Sequence, residues 1–461
     1  MTSPGTRITR RSALAGSSLF AACLALLRGP PALHAAESNL PAPAASPPSP
    51  RGPLGGVASW GYQLQKVDPQ LIARSPFEVM VIDYSRDGSD ERRFRHDEVA
   101  AMRRTASGGT RVLLAYLSIG EAEDYRVYWN EEWVELDLPD DVAKAVEAAR
   151  DKLEAALQAA DARGDGELAE QLADQLEALK AKHEGVTRRP NVEKAPGWLG
   201  EENEEWRSNF FVKYWEKPWQ DLMFGTAEAL LDKIIAAGFD GVYLDRVDAY
   251  YQFIDERESA KRDMVDFVRR LSAYARALRP GFVIVPQNGE ELLRIPDYLA
   301  VIDGIAKEDL FYGTAADDDE PAQSVKAKPS EVAGAPSATA PNAKVPAKTA
   351  AAKKSRKGPV ANSAGQVKAS LRRLTEARAA GLPVLVVEYF NGRKLDWIAD
   401  ARQKITANGF IGYIGVRELD RLVLPGEKLP VSAADQGSSR RGSSKARSKA
   451  KKPDSTPKRR N

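Results

Sequence analysis

Four apolar segments of this chain each lead into an acidic residue, and this recurrence constrains the fold more than any other feature. The acids are Asp83 after Val79-Met80-Val81-Ile82, Asp245 after Val242-Tyr243-Leu244, Glu290 shortly after Val283-Ile284-Val285, and Glu388 after Val384-Leu385-Val386-Val387. A short apolar run bounded by turn residues is typical of a fully buried strand. In a barrel of parallel strands, the active site forms at the rim where the strands end. The pattern therefore predicts acid chemistry at the mouth of such a barrel.

Strand-like and helix-like segments alternate from Val57 onward. The predicted strands are 57–63, 77–83, 111–118, 239–245, 282–287, 299–304, 383–389 and 409–415. The helix-like segments are 93–105, 222–237, 258–278, 366–380 and 395–407. Eight strands that alternate with helices favour a closed (β/α)8 TIM barrel over an open doubly wound sheet. We place this barrel at residues 57–426.

Two segments within the barrel range do not follow its pattern. Residues 140–184 are rich in Ala, Glu, Lys and Leu and carry two apolar stripes, which predicts an antiparallel helical hairpin. The hairpin is either a solvated insertion that packs on itself or a lid or partner-binding element. Residues 314–363 are rich in Ala, Pro, Ser and Lys with almost no large apolar residues, which predicts disorder. Each segment follows a strand end, so either could reshape the cleft.

The beginning of the chain resembles a targeting segment. A twin-arginine pair, Arg10-Arg11, precedes an apolar stretch, and the small residues around 32–36 resemble a signal-peptidase site. We therefore expect residues 1–36 to be a cleaved signal for export to the periplasm or beyond. An uncleaved anchor and lipidation at Cys23 are the alternatives. Residues 37–56 are typical of a linker rich in Pro, Ala and Ser.

Charge is distributed unevenly along the chain. The net charge is +2, but residues 1–35 carry +4 and residues 431–461 carry +8, which leaves about −10 for the body. An acidic body favours cationic substrates, and we expect no nucleic-acid partner. The basic tail, 427–461, is predicted to be disordered. It either contacts anionic polymers of the cell envelope or serves solubility.

The composition excludes several kinds of catalytic site. Cys23 is the only cysteine, so a chain that has lost residues 1–36 has no thiolate nucleophile or cysteine metal site. The three histidines, His34, His96 and His183, have no neighbours at metal-ligand spacing. No phosphate-binding loop or dinucleotide fingerprint is present. We therefore expect no metal and no cofactor, and a divalent ion bound by carboxylates is the alternative.

Paired carboxylates remain as the chemistry that the sequence supports. Glycoside hydrolysis requires two of them, one to protonate the leaving oxygen and one to attack or to activate water. Asp245 and Glu290 are the natural pair because both follow predicted barrel strands. The alternative for Asp245 is an ion pair with Arg246 or a helix cap. For Glu290 it is a place in the first turn of a helix, which Glu291 would fill equally well.

Aromatic and polar side chains also gather at the predicted mouth. Flat rings beside acids and amides suit the apolar faces and hydroxyl fringes of sugars. The candidates for substrate binding are Trp60, Tyr62, Tyr116, Glu121, Arg246, Asn288 and Tyr389. Ordinary packing of the core and rim is the alternative for each aromatic residue.

Several blocks of the sequence resemble glycoside hydrolase family 114, a TIM-barrel family named for endo-α-1,4-polygalactosaminidase activity. The blocks are Trp60-Gly61-Tyr62-Gln63-Leu64-Gln65, Ala115–Glu123, Gly241–Asp245, Gln287-Asn288-Gly289-Glu290, Asp303–Tyr312, Val387-Glu388-Tyr389 and Gly409–Tyr413. The resemblance spans roughly residues 57–425 apart from the two insertions.

The resemblance implies a role for individual residues. Asp245 matches the family's catalytic Asp, and Glu290, or else Glu291, matches its catalytic Glu. Asp83, Asp303 and Glu388 would contact substrate or support residues that do. It implies an exported endo-acting hydrolase of an α-1,4-linked galactosamine polymer, which is cationic when deacetylated and so suits the acidic body. A polysaccharide-binding or envelope-scaffold protein without activity and a glycosidase on another polymer remain the alternatives.

Overall fold

The computed structural model of the chain describes residues 52–183, 185–314, 359–390 and 394–429. The predicted export signal, most of the 37–56 linker, most of the 314–363 insertion and nearly all of the basic tail lie outside these residues. No helix of the described part is long and apolar enough to cross a membrane. Leu54 is buried in the core, so the core begins before the predicted end of the linker.

Strands and helices alternate through the described residues. The strands are β1 (Trp60–Tyr62), β2 (Val79–Ile82), β3 (Val112–Ser118), β4 (Glu121–Glu123), β5 (Val134–Leu136), β6 (Arg188–Pro190), β7 (Leu199–Glu202), β8 (Asn209–Val212), β9 (Gly241–Asp245), β10 (Val283–Pro286), β11 (Ile305–Glu308), β12 (Tyr312–Thr314), β13 (Pro359–Ala361), β14 (Val384–Tyr389) and β15 (Ile411–Gly415). The α-helices are α1 (Pro69–Arg74), α2 (His96–Met102), α3 (Asp140–Arg163), α4 (Gly166–His183), α5 (Lys217–Met223), α6 (Leu230–Ala237), α7 (Ala260–Leu278), α8 (Pro296–Leu299), α9 (Ala364–Ala379) and α10 (Leu395–Ala407).

Eight of these strands run parallel and lie side by side in chain order. Five form one ladder, β1-β2-β3-β9-β10, and three form another, β11-β14-β15. A parallel bridge between Gln287 and Ala306 joins the two ladders. At the other seam, the Trp60 indole of β1 donates to the Ile411 carbonyl of β15 at 2.9 Å. This is the strand order of a (β/α)8 barrel, and the predicted α/β class with parallel strands is confirmed.

The interior of the parallel strands is filled by aromatic rings. Tyr62 and Tyr243 lie 5.1 Å apart between ring centroids, and Trp60 lies within about 6 Å of both and of Tyr413. These four rings come from three strands, so they occupy one shared space. Rings of this size bury roughly 150–250 Å² each and dominate the energetics of a core. The parallel strands thus surround a core that is filled by side chains, and the rim lies at the carboxyl-terminal end of this core.

One predicted strand was wrong, and the error changes the set of residues at the rim. Residues 299–304 were expected to form a strand, but they end α8 and turn, and β11 begins at Ile305. Proline at the first position of α8 favours the helix, and its residue Tyr298 is buried. Asp303 therefore precedes its strand instead of following it. The residue at the carboxyl end of β11 is Glu308.

The predicted segment 222–237 consists of two helices rather than one. Helix α5 ends at Met223, and α6 begins at Leu230. Gly225 lies between them with a φ of 110°, a value that glycine adopts without strain. The predictions for α7, α9 and α10 agree with the structure to within two residues.

The helical hairpin predicted for residues 140–184 is present as α3 and α4. Gly164 ends α3 in a left-handed conformation, the usual glycine stop of a helix. The hairpin rises from the antiparallel pair β5–β6. A second small antiparallel sheet, β4-β8-β7, stands next to β3 on the rim side. At the 314–363 insertion, the described ends form the antiparallel pair β12–β13.

Candidate active site

Asp245 lies at the carboxyl end of β9 and is held by three hydrogen-bond donors. The Tyr116 hydroxyl donates to Oδ2 at 2.7 Å. The Gln287 amide and the Arg246 backbone N–H donate to Oδ1 at 2.9 and 2.7 Å. Asp245 nonetheless keeps partial exposure to solvent. The carboxylate is therefore fixed in orientation and open to a ligand from the mouth of the strands.

The charged group that acts most strongly on Asp245 is a second carboxyl group, Glu308 of β11. Burial, and then the Glu308 charge, raise the pKa of Asp245 from 3.8 to about 7. Burial and the neighbouring Asp309 also raise the pKa of Glu308 above its ordinary value. Two carboxyl groups that interact in this way titrate as a pair rather than independently.

Glu308 has fewer and longer hydrogen bonds than Asp245. The Asn288 amide donates to Oε1 at 3.1 Å, and the Tyr389 hydroxyl donates to Oε2 at 3.3 Å. Tyr62, at the end of β1, belongs to the same centre. Burial, and then the charges of neighbours that include Tyr389, Asp245 and Glu308, raise the pKa of its hydroxyl above the ordinary value. Tyr62, Tyr116 and Tyr389 thus form the buried floor beneath the two acids.

Glu290 points into a different environment from Asp245. It accepts a hydrogen bond from the Ser370 hydroxyl of α9 and lies 3.7 Å from the Lys307 ammonium. The Lys307 ammonium also donates to Asn288 Oδ1 at 3.2 Å, so Asn288 lies between Lys307 and Glu308. Burial acts to raise the pKa of Glu290, but Lys307 and Ser370 outweigh it and hold the pKa below its ordinary value. A general acid needs a raised pKa to stay protonated near neutral pH, and Glu290 lacks this property.

Glu291, the alternative to Glu290, also belongs to an ion cluster. It pairs with Lys261 of α7 at 2.9 Å and with Arg373 of α9 at 2.7 Å. Burial is outweighed by Lys261 and other partners, which keep its pKa below the ordinary value. Both glutamates tie the loop after β10 to surrounding helices. Their catalytic role stays a prediction, and the geometry favours Glu308 as the partner of Asp245.

Three residues that follow successive strands adopt left-handed backbone conformations. They are Arg246 after β9, Asn288 after β10 and Asp309 after β11, with φ values of 58°, 60° and 50°. Such conformations are uncommon outside glycine and concentrate at functional sites, where the surrounding structure compensates for the strain. All three lie beside the Asp245–Glu308 pair, which marks this part of the rim as specialised.

Arg246 pairs with Glu121 rather than with Asp245. Its Nε lies 2.9 Å from the Glu121 carboxylate, and a terminal nitrogen lies 3.8 Å from Asp248. Glu121 is buried and also accepts from Asn203 and Asn209 of the β7–β8 region. The alternative of an Asp245–Arg246 ion pair is thus not what the structure shows. Glu121 holds Arg246 in place and is itself shielded from a ligand.

Asp83 lies at the end of β2 in a buried ion cluster. Arg126 contacts the Asp83 carboxylate at 2.8 Å and the Glu123 carboxylate at 2.7 Å, and all three side chains are buried. The Arg126 guanidinium also lies 5.9 Å from the centre of the Tyr116 ring. Asp83 therefore supports the wall behind Tyr116.

Glu388 is fully buried and binds backbone rather than ligand. Its two oxygens accept from the N–H groups of Phe311 and Tyr312 at 2.8 and 3.1 Å. Burial raises its pKa to about 8. Arg417, stacked 4.8 Å from the Tyr389 ring, pairs with Asp309 at 2.6 Å. These contacts fix the turn after Glu308.

Two predicted substrate-binding residues are placed where a ligand at the rim does not reach them. Trp60 is 0% exposed within the aromatic core. Asp303 accepts from the Ile284 backbone N–H at 2.8 Å and pairs with Arg276 at 2.7 Å, at the amino-terminal ends of the strands. The reason is the same for both residues. The sequence shows an aromatic ring or an acid beside a strand, but it does not show at which end of the strand or on which face of the sheet the side chain lies.

Glu308 was the functional candidate that we missed. It lies within the Asp303–Tyr312 block that carried the resemblance, but the misplaced strand at 299–304 gave the strand-end position to Asp303. The signal that identifies Glu308 is the segment Ile305-Ala306-Lys307-Glu308 followed by a left-handed residue. No group of three or more His, Cys, Asp or Glu side chains within the described ranges is placed to hold a metal ion.

The sequence of the chain matches a family model described as glycoside hydrolase family GH114 over residues 184–428, more than half its length. The chain belongs to glycoside hydrolase family GH114. The match contains both acids of the pair, so this GH114 protein carries them in the part of the chain that defines its family. GH114 is a family of glycoside hydrolases.

Relatives of this GH114 protein include three uncharacterized proteins. One from Thermotoga maritima is 34% identical over 260 residues, 55% of this chain and 60% of that protein. One from Methanocaldococcus jannaschii is 32% identical over 260 residues, 55% of this chain and 56% of that protein. One from Deinococcus radiodurans is 29% identical over 402 residues, 86% of this chain and 93% of that protein. The chain thus spans less than two thirds of the first two relatives.

Among solved structures, the chain is similar to the glycoside hydrolase domain of PelA from Pseudomonas aeruginosa and to one variant of it. The identity is 14% in both cases, with TM-scores of 0.44 and 0.45. Each comparison covers 82% of this chain and 100% of the PelA domain.

Proposed function

We propose that the protein hydrolyses a glycosidic bond with Asp245 and Glu308 as its two carboxyl groups. The observation that carries the proposal is that both acids lie buried at the rim with raised pKa values, and that the Glu308 charge contributes to the rise for Asp245. A pair that shares one proton supplies an ionised carboxylate and a neutral acid at the same pH. Two-carboxylate glycoside hydrolysis requires this combination.

The hydrogen bonds assign a role to each acid. Three donors at 2.7–2.9 Å surround Asp245 and favour its ionised form. Glu308 has two donors, at 3.1 and 3.3 Å, so its ionised form is less stabilised. In the reactive state we therefore assign the shared proton to Glu308. Glu308 protonates the leaving oxygen, and Asp245 acts as nucleophile or as the base that activates water.

For the substrate we propose an α-1,4-linked galactosamine-type polysaccharide that is cleaved internally. The resemblance to polygalactosaminidases and the acidic body, about −10 over residues 36–430, support this choice. The twin-arginine segment supports a further proposal, that the protein acts outside the cytoplasm.

The test is product release from partially deacetylated α-1,4-galactosaminan, followed by mass spectrometry, with three carboxamide variants. We expect Asp245→Asn and Glu308→Gln each to lower kcat by about 10²–10⁴-fold, the usual contribution of a positioned acid or base. Glu290→Gln is the matched control and keeps kcat within about tenfold.

Other outcomes would redirect the assignment. If Glu290→Gln abolishes turnover while Glu308→Gln does not, the original pair of Asp245 and Glu290 is correct. If the folded protein binds the polymer but releases no product, the scaffold alternative is correct. Release from a different polymer with the same dependence on variants would retain the mechanism and change the substrate.

A further inference from the structure

Two tyrosines on the rim expose nearly half of their surface although each is anchored at its base. Tyr251 is 47% exposed and Tyr125 is 45% exposed, whereas Tyr62, Tyr116 and Tyr389 of the same rim are almost completely buried. Large apolar side chains are normally buried unless they serve an interaction, although single exposed ones also occur. What distinguishes these two is their position relative to Asp245.

Tyr125 lies on the β2 side of Asp245. Its hydroxyl donates to Glu123, and its ring covers Arg126, whose guanidinium carbon lies 4.9 Å from the ring centroid. Arg126 is bound to Asp83 at the end of β2. Gly88, with a φ of 87°, lies so close that a Cβ at this position would collide with the Tyr125 ring. The ring is therefore fixed in place although 45% of the residue is exposed.

Tyr251 lies on the β10 side of Asp245. It belongs to the 3-10 segment Val247–Phe253, which follows β9 directly. Its ring lies 4.4 Å from that of Tyr250, and Tyr250 is buried. Lys261, which pairs with Glu291 of the loop after β10 at 2.9 Å, lies 5.3 Å from the centre of the Tyr250 ring and so ties the two rings to that loop. This ring too has a fixed base and an open surface.

The order of strands places the catalytic pair relative to the two rings. The ladder runs β2-β3-β9-β10, and Asp245 ends β9. Tyr125 is tied to β2 through Arg126, and Tyr251 is tied to the loop after β10. Asp245 consequently lies between the two rings along the rim.

We propose that Tyr125 and Tyr251 are stacking platforms for sugar units on either side of the scissile bond. The proposal rests on the proposed glycosidase function and specifies its mode of action. A polymer bound by both platforms crosses Asp245 with internal units over the acids, so cleavage occurs inside the chain. Rings that are already fixed lose little conformational freedom when a sugar stacks on them.

The platforms predict a dependence on chain length. A stacked aromatic contributes roughly 3- to 10-fold to affinity. Tyr125→Ala and Tyr251→Ala should each lower kcat/KM for long galactosaminan by that factor, mainly through KM. The loss should be smaller for a trisaccharide, which is too short to reach both rings. Tyr251→Phe, which keeps the ring, should restore the wild-type value.

The control is Leu278→Ala, which removes an exposed apolar side chain, 53% exposed, at the opposite end of the strands. This variant should leave kcat/KM unchanged for both the polymer and the trisaccharide. Equal losses on polymer and trisaccharide, or no loss at all, would overturn the platforms while leaving the hydrolase proposal intact.

If the protein shows no turnover, measurements of polymer binding distinguish the platform proposal from the hydrolase proposal. In the Asp245→Asn protein, affinity for the polymer is measured by calorimetry with and without each tyrosine substitution. Weaker binding after Tyr125→Ala and Tyr251→Ala would support the platforms even if the parent chain releases no product. A parent chain that neither binds nor cleaves galactosaminan would overturn both proposals.

Discussion

Replacing Asp245 by Asn should remove activity and make the folded protein more stable at pH 8. The folded state raises the pKa of Asp245 from 3.8 to about 7, so it binds this proton more tightly than the unfolded chain does. The charged form is therefore penalised in the folded state. This penalty grows as the pH rises from about 4 to 7 and is complete above 7. Asparagine carries no charge and avoids it.

The magnitude follows from the pKa. A rise from 3.8 to about 7 corresponds to roughly 4 kcal/mol. Partial exposure of Asp245 and its coupling to Glu308 reduce this to an expected gain of about 1–3 kcal/mol. The hydrogen bonds can be kept, because Asn Oδ1 can accept from Gln287 and Arg246 while its NH₂ donates to the Tyr116 oxygen.

Thermal unfolding at pH 5 and pH 8 measures the effect. We expect the Asn variant to melt a few degrees above the parent at pH 8, with a clearly smaller difference at pH 5. Asp303→Asn is the matched control, since that carboxylate is bound by Arg276 and should only lose stability when replaced. A destabilised Asp245→Asn protein at pH 8, or a gain that is equal at both pH values, would refute the reasoning.

Three further predictions concern groups around the pair. Burial in the folded protein raises the pKa of Glu388 to about 8, so ionisation of this carboxyl lowers stability as the pH rises from about 4.5 to 8. Glu388→Gln should therefore flatten the fall in melting temperature across that range. Arg126→Met leaves two buried carboxylates unpaired and should lower the free energy of unfolding by about 3–5 kcal/mol, measured by urea titration. Gly120→Ala places a Cβ against the Arg246 carbonyl and should cut kcat about 10²-fold while the circular dichroism spectrum stays unchanged, since a shift of about 1 Å suffices for such a loss. An unaltered kcat would show that the backbone after β9 yields without displacing Asp245.

The helices and most strands could be predicted because their signals are local. Apolar runs such as Val384–Val387, periodic stripes and glycine stops such as Gly164 depend only on neighbours in the chain. The same local signals failed at 299–304, where an apolar run belongs to the end of a helix and a turn. There, burial of Tyr298 favours the helix α8, and the neighbouring sequence contains no signal for that burial.

The sequence by itself determined that this protein is an α/β chain with acids at the ends of buried strands, and that Asp245 is one of them. Tertiary structure decided which acid interacts with Asp245. Glu290 and Glu308 both follow apolar segments near strand ends, but folding places Glu290 beside the Lys307 ammonium and the Ser370 hydroxyl, whereas the Glu308 charge acts on Asp245. The proton affinity of each group then follows from its surroundings: a like charge and burial raise the pKa of Asp245, whereas an ammonium lowers that of Glu290. Those surroundings come from residues up to 129 positions apart, which meet only when the strands and helices pack.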